Sequence, residues 1–176
     1  GADVLKQRYG APIGIGEGIR EVQRRFAPVF NLGSGFRPDG SQFDRLFKDG
    51  DRFSLGGLEV AVMATPGHTS DSITYLIGDA AFIGDTLFRP DYGAARCDFP
   101  GGDARTLYES VQKLYALPPQ TRLHLCHDYP AQGQEPRHEV SVREMRETNV
   151  MLRHDTPVEE FVRKRTERDA KLPAPA

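Results

Sequence analysis

The chain has 176 residues, about 38% of them hydrophobic, with a formal net charge of −2. That length suits one domain with at most a small appendage, and the near-neutral charge excludes a general electrostatic pull toward nucleic acid or anionic lipid. No apolar run approaches the roughly 18 residues that span a bilayer, and the first nine residues lack the apolar stretch of a signal peptide.

Residues 2–9 read as the end of a helix, with Gly10 as its stop. Nothing precedes this helix for it to pack against, and residues 172–176 break off in a Pro-rich tail. Both ends suggest a chain cut from a longer one, or lacking disordered parts. Residues 12–15 form a short strand. Residues 17–30 then place Ile19, Val22, Phe26 and Val29 at helical spacing, with Pro28 weakening the last turn. Residues 31–42 carry the Gly, Ser and Pro of a loop. Residues 52–55 and 58–63 read as a hairpin around Gly56-Gly57, since a tight hairpin turn needs positive φ. Residues 72–77 and 80–83 make a second pair across Gly78-Asp79.

Residues 89–102 form a polar, Gly- and Pro-rich loop, the kind of segment where substrate contacts sit. Asp103 caps a helix over 104–115, with Leu107, Val111 and Leu114 on one face and Pro118-Pro119 beyond its end. Residues 122–126 are a strand. Residues 140–152 and 157–171 read as helices, the second capped by Thr156 with Pro157 in its first position. No internal repeat occurs. Strands and helices alternate after a hairpin-rich start, so a mixed α/β layered fold is expected.

Three strand ends carry the chemistry. His68 follows Pro66-Gly67 among small polar neighbours; Asp85 follows the apolar run Ala80 to Gly84; His127 follows Leu123-His124-Leu125-Cys126. Two imidazoles and a carboxylate at successive strand ends are a natural metal site. The bland readings are a solvated loop histidine, a turn aspartate bonded to nearby amides and a satisfied buried histidine. In an alternating strand His124 and Cys126 share one face, and Leu123, Leu125 and His127 share the other. Cys126, beside His127, reads as small strand filler rather than a ligand. Arg96 suits a bidentate clamp on a substrate carboxylate; its bland alternative is an ion pair with Asp91, Asp98 or Asp103. Cys97 has no adjacent base and is not assigned as a nucleophile. His138 and His154 lie in charged surroundings and read as surface residues. Two cysteines do not make a disulfide framework and suit a reducing, cytoplasmic setting.

Thr65-Pro66-Gly67-His68-Thr69, then Gly84-Asp85-Thr86-Leu87-Phe88, then Cys126-His127-Asp128-Tyr129 together resemble the metallo-β-lactamase superfamily. Arg96-Cys97-Asp98-Phe99, residues 106–111 and His127-Asp128-Tyr129 are similar to its glyoxalase II and persulfide dioxygenase (ETHE-like) branch. The resemblance covers roughly residues 2–129, and residues 160–169 look like the helical end of a bacterial subgroup linked to sulfide metabolism. It implies an αββα sandwich with the metal site at one edge, divided into a core at 1–135 and a helical extension at 136–176 packed on it. It implies Fe(II) or Zn(II) held by His68, Asp85 and His127, with Asp85 catalytic. In the dioxygenase branch His127 stands beside the iron without binding it. Arg96 and Tyr129 match positions that hold the glutathione part of a thiol-derived substrate. The hallmark His-x-His-x-Asp-His does not occur in this sequence; the resemblance places it immediately upstream of Ala2, so the fold reads as incomplete at its N-terminus. The expected activity is persulfide dioxygenation. The rivals are thioester hydrolysis by a binuclear zinc site and a non-catalytic, metal-free scaffold. A homodimer is compatible with any of these.

Overall fold

Eight strands and five helices follow the chain in the computed structural model, which describes residues 1–130 and 132–173. Helix α1 (Ala2–Tyr9) ends at Gly10, whose φ of 66° places it in the left-handed region. Strand β1 (Gly14–Gly16) precedes α2 (Ile19–Val29), which keeps Pro28 inside its last turn. Strand β2 (Arg45–Phe47), which no sequence signal marked, pairs with β1 in parallel. Then come β3 (Arg52–Leu55), β4 (Leu58–Ala64), β5 (Ile73–Ile77), β6 (Ala80–Phe82), α3 (Ala104–Tyr115), β7 (Arg122–His124), β8 (Glu139–Ser141), α4 (Val142–Thr148) and α5 (Val158–Asp169). The Pro-rich tail falls partly on residues 174–176, outside the described residues.

Strands β3 to β8 form one six-stranded sheet in sequence order. Every pairing is antiparallel except β6 with β7, where α3 makes the crossover that a parallel pair requires. Gly56 and Gly78, each at φ 60°, turn the two hairpins. Register decides which residues enter the core. Ala61, Leu76, Ala81, Leu123 and Val140 stand opposite one another across five strands. Ala81, Leu123 and Val140 are fully buried, with Leu76 partly so, in one cluster with Leu107, Val111 and Leu114 of α3, Met145 of α4 and Phe161 of α5. The other face carries the row Val62, Tyr75, Phe82, His124 and Glu139. Phe47 of β2 covers one end of it, against Phe53 and Tyr75. In the middle of the row Phe82 stays 43% exposed, stacked on His124.

Two helix boundaries differ from the sequence expectation. The helix expected over 140–152 begins only at Val142, because Val140 pairs with Leu123 as part of β8. Ser141 then caps α4 by accepting from the Glu144 backbone N–H at 3.1 Å. Asn149 closes it, its side chain accepting from the amides of Met151 and Leu152. The sheet therefore continues past residue 135 into the segment read as an extension. Thr156 does not cap α5: its hydroxyl accepts from Arg153 N at 2.9 Å and so serves the preceding turn, leaving Pro157 as the N-cap.

Candidate metal centre

The loop bearing His68 is fixed by α3. Gly67 lies at φ 136°, and a Cβ there would stand 2.4 Å from the Leu107 backbone, so only glycine allows the loop so close. Its carbonyl accepts from Asp103 N, and the Pro66 carbonyl accepts from Ser110 Oγ at 2.6 Å. The His68 ring then donates Nδ1–H to the Arg96 carbonyl at 2.7 Å, which leaves Nε2 with a lone pair for a cation. Phe99 packs edge-on against this imidazole.

Asp85 follows Ile83 and a sharp turn at Gly84, φ 52°. Thr86 tightens the turn by donating Oγ1–H to the Ile83 carbonyl at 2.8 Å. Asp85 Oδ1 is buried without a hydrogen bond, although His127 Nε2 lies 3.3 Å away. A buried, unsatisfied carboxylate oxygen is costly unless a cation or donor meets it. Asp128, the next residue after His127, is itself pinned: its carboxylate accepts from Arg137 N at 2.5 Å and Arg89 Nη1 at 3.4 Å.

Strand β7 ends at His124, two residues sooner than expected. Strict alternation therefore lapses before Cys126. The thiol, read from the sequence as strand filler, is exposed, and its Sγ joins Asp85 and His127 in a cluster whose ligand atoms all lie within 4.8 Å of one another. Cys97 is buried, and desolvation, reinforced by Asp169, pushes its thiol up to about 12, consistent with its not being a nucleophile. His138 and His154 are exposed.

A cavity of about 400 Å³ collects these side chains. His68, Asp85, His127, Arg96 and Tyr129 all line it. The structure therefore brings the expected site residues to one place, with His68 standing outside the Asp85–Cys126–His127 cluster. Arg96 takes the ion pair that was the bland reading: Nε and Nη2 each lie 2.6 Å from Asp98, and Nη2 also donates to the Pro173 carbonyl. This guanidinium holds the Asp98 carboxyl below the usual carboxylate range. The cavity's far wall comes from α5 and the residues after it, through Arg165, Arg168, Leu172 and Pro173. Sequence reasoning assigned these no role in the site. One signal was available: Phe161, Arg165 and Asp169 recur every four residues, a single helix face, and all three are buried.

The Metallo-beta-lactamase superfamily model matches residues 1–155. The chain belongs to the metallo-β-lactamase superfamily. It is 48% identical over 184 aligned residues to a probable metallo-hydrolase of Burkholderia pseudomallei (strain 1710b), covering 99% of this chain and 63% of the relative. It is 46% identical over 177 aligned residues to Glyoxylase B2 of Dictyostelium discoideum, covering 99% of this chain and 61% of the relative. The crystal structure of ETHE1 from Myxococcus xanthus superposes with a TM-score of 0.74 at 30% identity, over 98% of this chain and 64% of that one. The chain thus spans less than two thirds of each of these proteins. The mixed α/β fold expected from the alternation of strands and helices, and the sandwich implied by the resemblance, are the fold of the superfamily.

Proposed function

We propose that this chain carries the metal centre of a persulfide dioxygenase acting on a glutathione-derived substrate. The observation that supports a metal is Asp85 Oδ1, buried and unbonded beside an imidazole, in a cavity where His68 keeps a ring nitrogen free. One carboxylate with imidazole nitrogens suits iron(II) or zinc. When bound, iron(II) would supply the redox chemistry by which one dioxygen and one water convert the outer persulfide sulfur to sulfite with release of two protons, the S–S bond breaking and glutathione leaving as its thiol. The chain's own residues do the rest. Arg96 O fixes the tautomer of His68, Asp128 orients the segment bearing His127, and Tyr129 stands on the cavity wall against Phe88 and Tyr92. The preference for this branch rests on the Arg96-Cys97-Asp98-Phe99 segment and on the likeness to the Myxococcus xanthus ETHE1 structure.

A second reading has its own support. The Asp85, Cys126 and His127 donors lie close enough to hold an ion by themselves, which favours a two-metal thioester hydrolase of the glyoxalase II kind, and Glyoxylase B2 is among the similar relatives. Bound zinc would then supply a water of lowered pKa.

Oxygen uptake by the whole, iron-loaded protein given glutathione persulfide separates the two, and its absence sinks the dioxygenase. Metal analysis is expected to give about one iron per chain rather than two zincs. His127→Ala should abolish thioester hydrolysis but only impair oxygen consumption.

A further inference from the structure

The two loops that bring Asp85 and His127 together share a joint that takes no part in lining the cavity. Arg89 stands four residues after Asp85 and is only 9% exposed. Its guanidinium meets three separate segments. Nε donates to Asp91, in its own loop, at 3.1 Å. Nη1 donates to Asp128, next to His127, at 3.4 Å and to the Glu135 carbonyl at 3.1 Å. Nη2 donates to Gln134 Oε1 at 2.8 Å. The Arg89 carbonyl accepts from Tyr92 N and Gly93 N, both at 2.9 Å, so the backbone beneath the side chain is fixed as well. The joint continues past Asp128. The other oxygen of that carboxylate accepts from Arg137 N, and Arg137 meets Glu144 of α4 through two hydrogen bonds, at 2.6 and 2.5 Å. A line of charge-assisted contacts thus runs from α4 to the loop of Asp85. On the cavity side the two loops also meet through rings: Phe88 packs edge-on against Tyr129, and Tyr92 stacks on Tyr129 at 4.7 Å.

We propose that Arg89 is a positioning residue of the metal centre: its planar fork fixes the spacing between the Asp85 loop and the His127 loop, and so the geometry in which a divalent metal would be held. This rests on the reading of the cavity as a metal site and holds for either metal chemistry. Arginine suits the task because its rigid fork can serve several segments at once, whereas a lysine ammonium on a flexible stem is a single point of charge. Metal–ligand distances tolerate changes of only about 0.2 Å. A joint that sets the distance between two ligand-bearing loops therefore reaches the metal without touching it.

Cobalt(II) binding by the whole protein tests this without turnover, read by equilibrium dialysis and by the visible absorption of the bound ion. Arg89→Gln should weaken binding about tenfold to a hundredfold and shift the absorption, because the ligand field changes when the two loops separate. Arg89→Lys, which keeps the charge but not the fork, should fall between. Asp128→Asn cuts the same joint from the other side, so the two losses should fall short of additive in the double variant. Arg122→Gln is the control. Arg122, at the opposite end of β7, pairs with Asp79 and Glu139, so its loss should lower Tm and leave cobalt affinity and absorption unchanged. An Arg89→Gln protein with wild-type affinity and absorption overturns the positioning role, as does an equal change in Arg122→Gln. If Arg89→Gln does not fold, an Arg89→Lys protein indistinguishable from the wild type overturns it instead. A wild type that binds no cobalt overturns the metal reading itself, and the positioning role with it.

Discussion

Asp85 is the residue at which burial and chemistry conflict most directly. Its Oδ1 has lost water and gained no hydrogen bond, and folding tolerates that where a cation completes the shell. The neighbouring thiol gives a residue-level test. Cys126 is exposed and Cys97 is buried. Burial raises both thiols, Cys97 to about 12, and the Asp85 charge adds to the rise at Cys126. Because the thiolate is the reactive form, a disulfide reagent at mildly alkaline pH should modify Cys126 and leave Cys97 intact. Cys126→Ser should remove the reaction, and bound metal should slow it; equal labelling of both thiols would contradict the geometry. His68, Asp85 and His127 were legible in the sequence because each sits where an apolar run stops at a turn residue or a polar neighbour. Cys126 was not, because period-two alternation was carried two residues beyond the end of β7.

At the scale of elements, α3 is the strut of the site: its first turn carries the His68 loop, and its inner face fills the core. Asp103 caps it, accepting from Thr106 N at 2.7 Å. The same backbone N–H holds the Asp103 carboxyl below its ordinary value of 3.8. A depressed folded-state pKa stabilises above the unfolded value and loses its effect as pH falls through the folded one. Asp103→Ala should therefore cost about 0.5–2 kcal/mol near neutrality, read as a drop of roughly 2–4 °C in Tm per kcal/mol. The gap should close as the pH is taken below about 3.9. A gap that widened on acidification would contradict the cap. Asp103 was legible because an acidic residue directly before a periodic apolar run is a helix-start signal. The Val140 boundary was not: Val140 and Ser141 fit a helical pattern locally, and only pairing with Leu123 makes them a strand. Strand β2 escaped for a related reason, since three residues paired in parallel to β1 carry no readable period.

At the scale of the whole molecule, the cavity draws on loops after three strands and on α5, so its residues run from His68 to Pro173. Helix α5 is tied to the loop after β6 inside the protein: Asp169 accepts from Cys97 N at 3.0 Å, and Arg165 donates to the Ala94 carbonyl at 2.8 Å. Arg165 and Asp169 were hard to read as core: they pair with each other at 2.6 Å, but charged side chains are rarely buried, and the backbone groups that complete their shell, Ala94 O and Cys97 N, lie 71 and 72 residues away in sequence. A site assembled from such distant segments exists only in the folded chain, so metal binding there, as proposed, would be coupled to folding. The decisive measurement is metal binding by the whole protein, wild type against Asp85→Asn, by equilibrium dialysis with iron(II) and with zinc. The wild type should retain metal, and the variant should lose affinity by about a hundredfold or more. A wild type that retains neither metal, or an Asp85→Asn protein that binds as well as the wild type, would contradict a metal centre at this cavity.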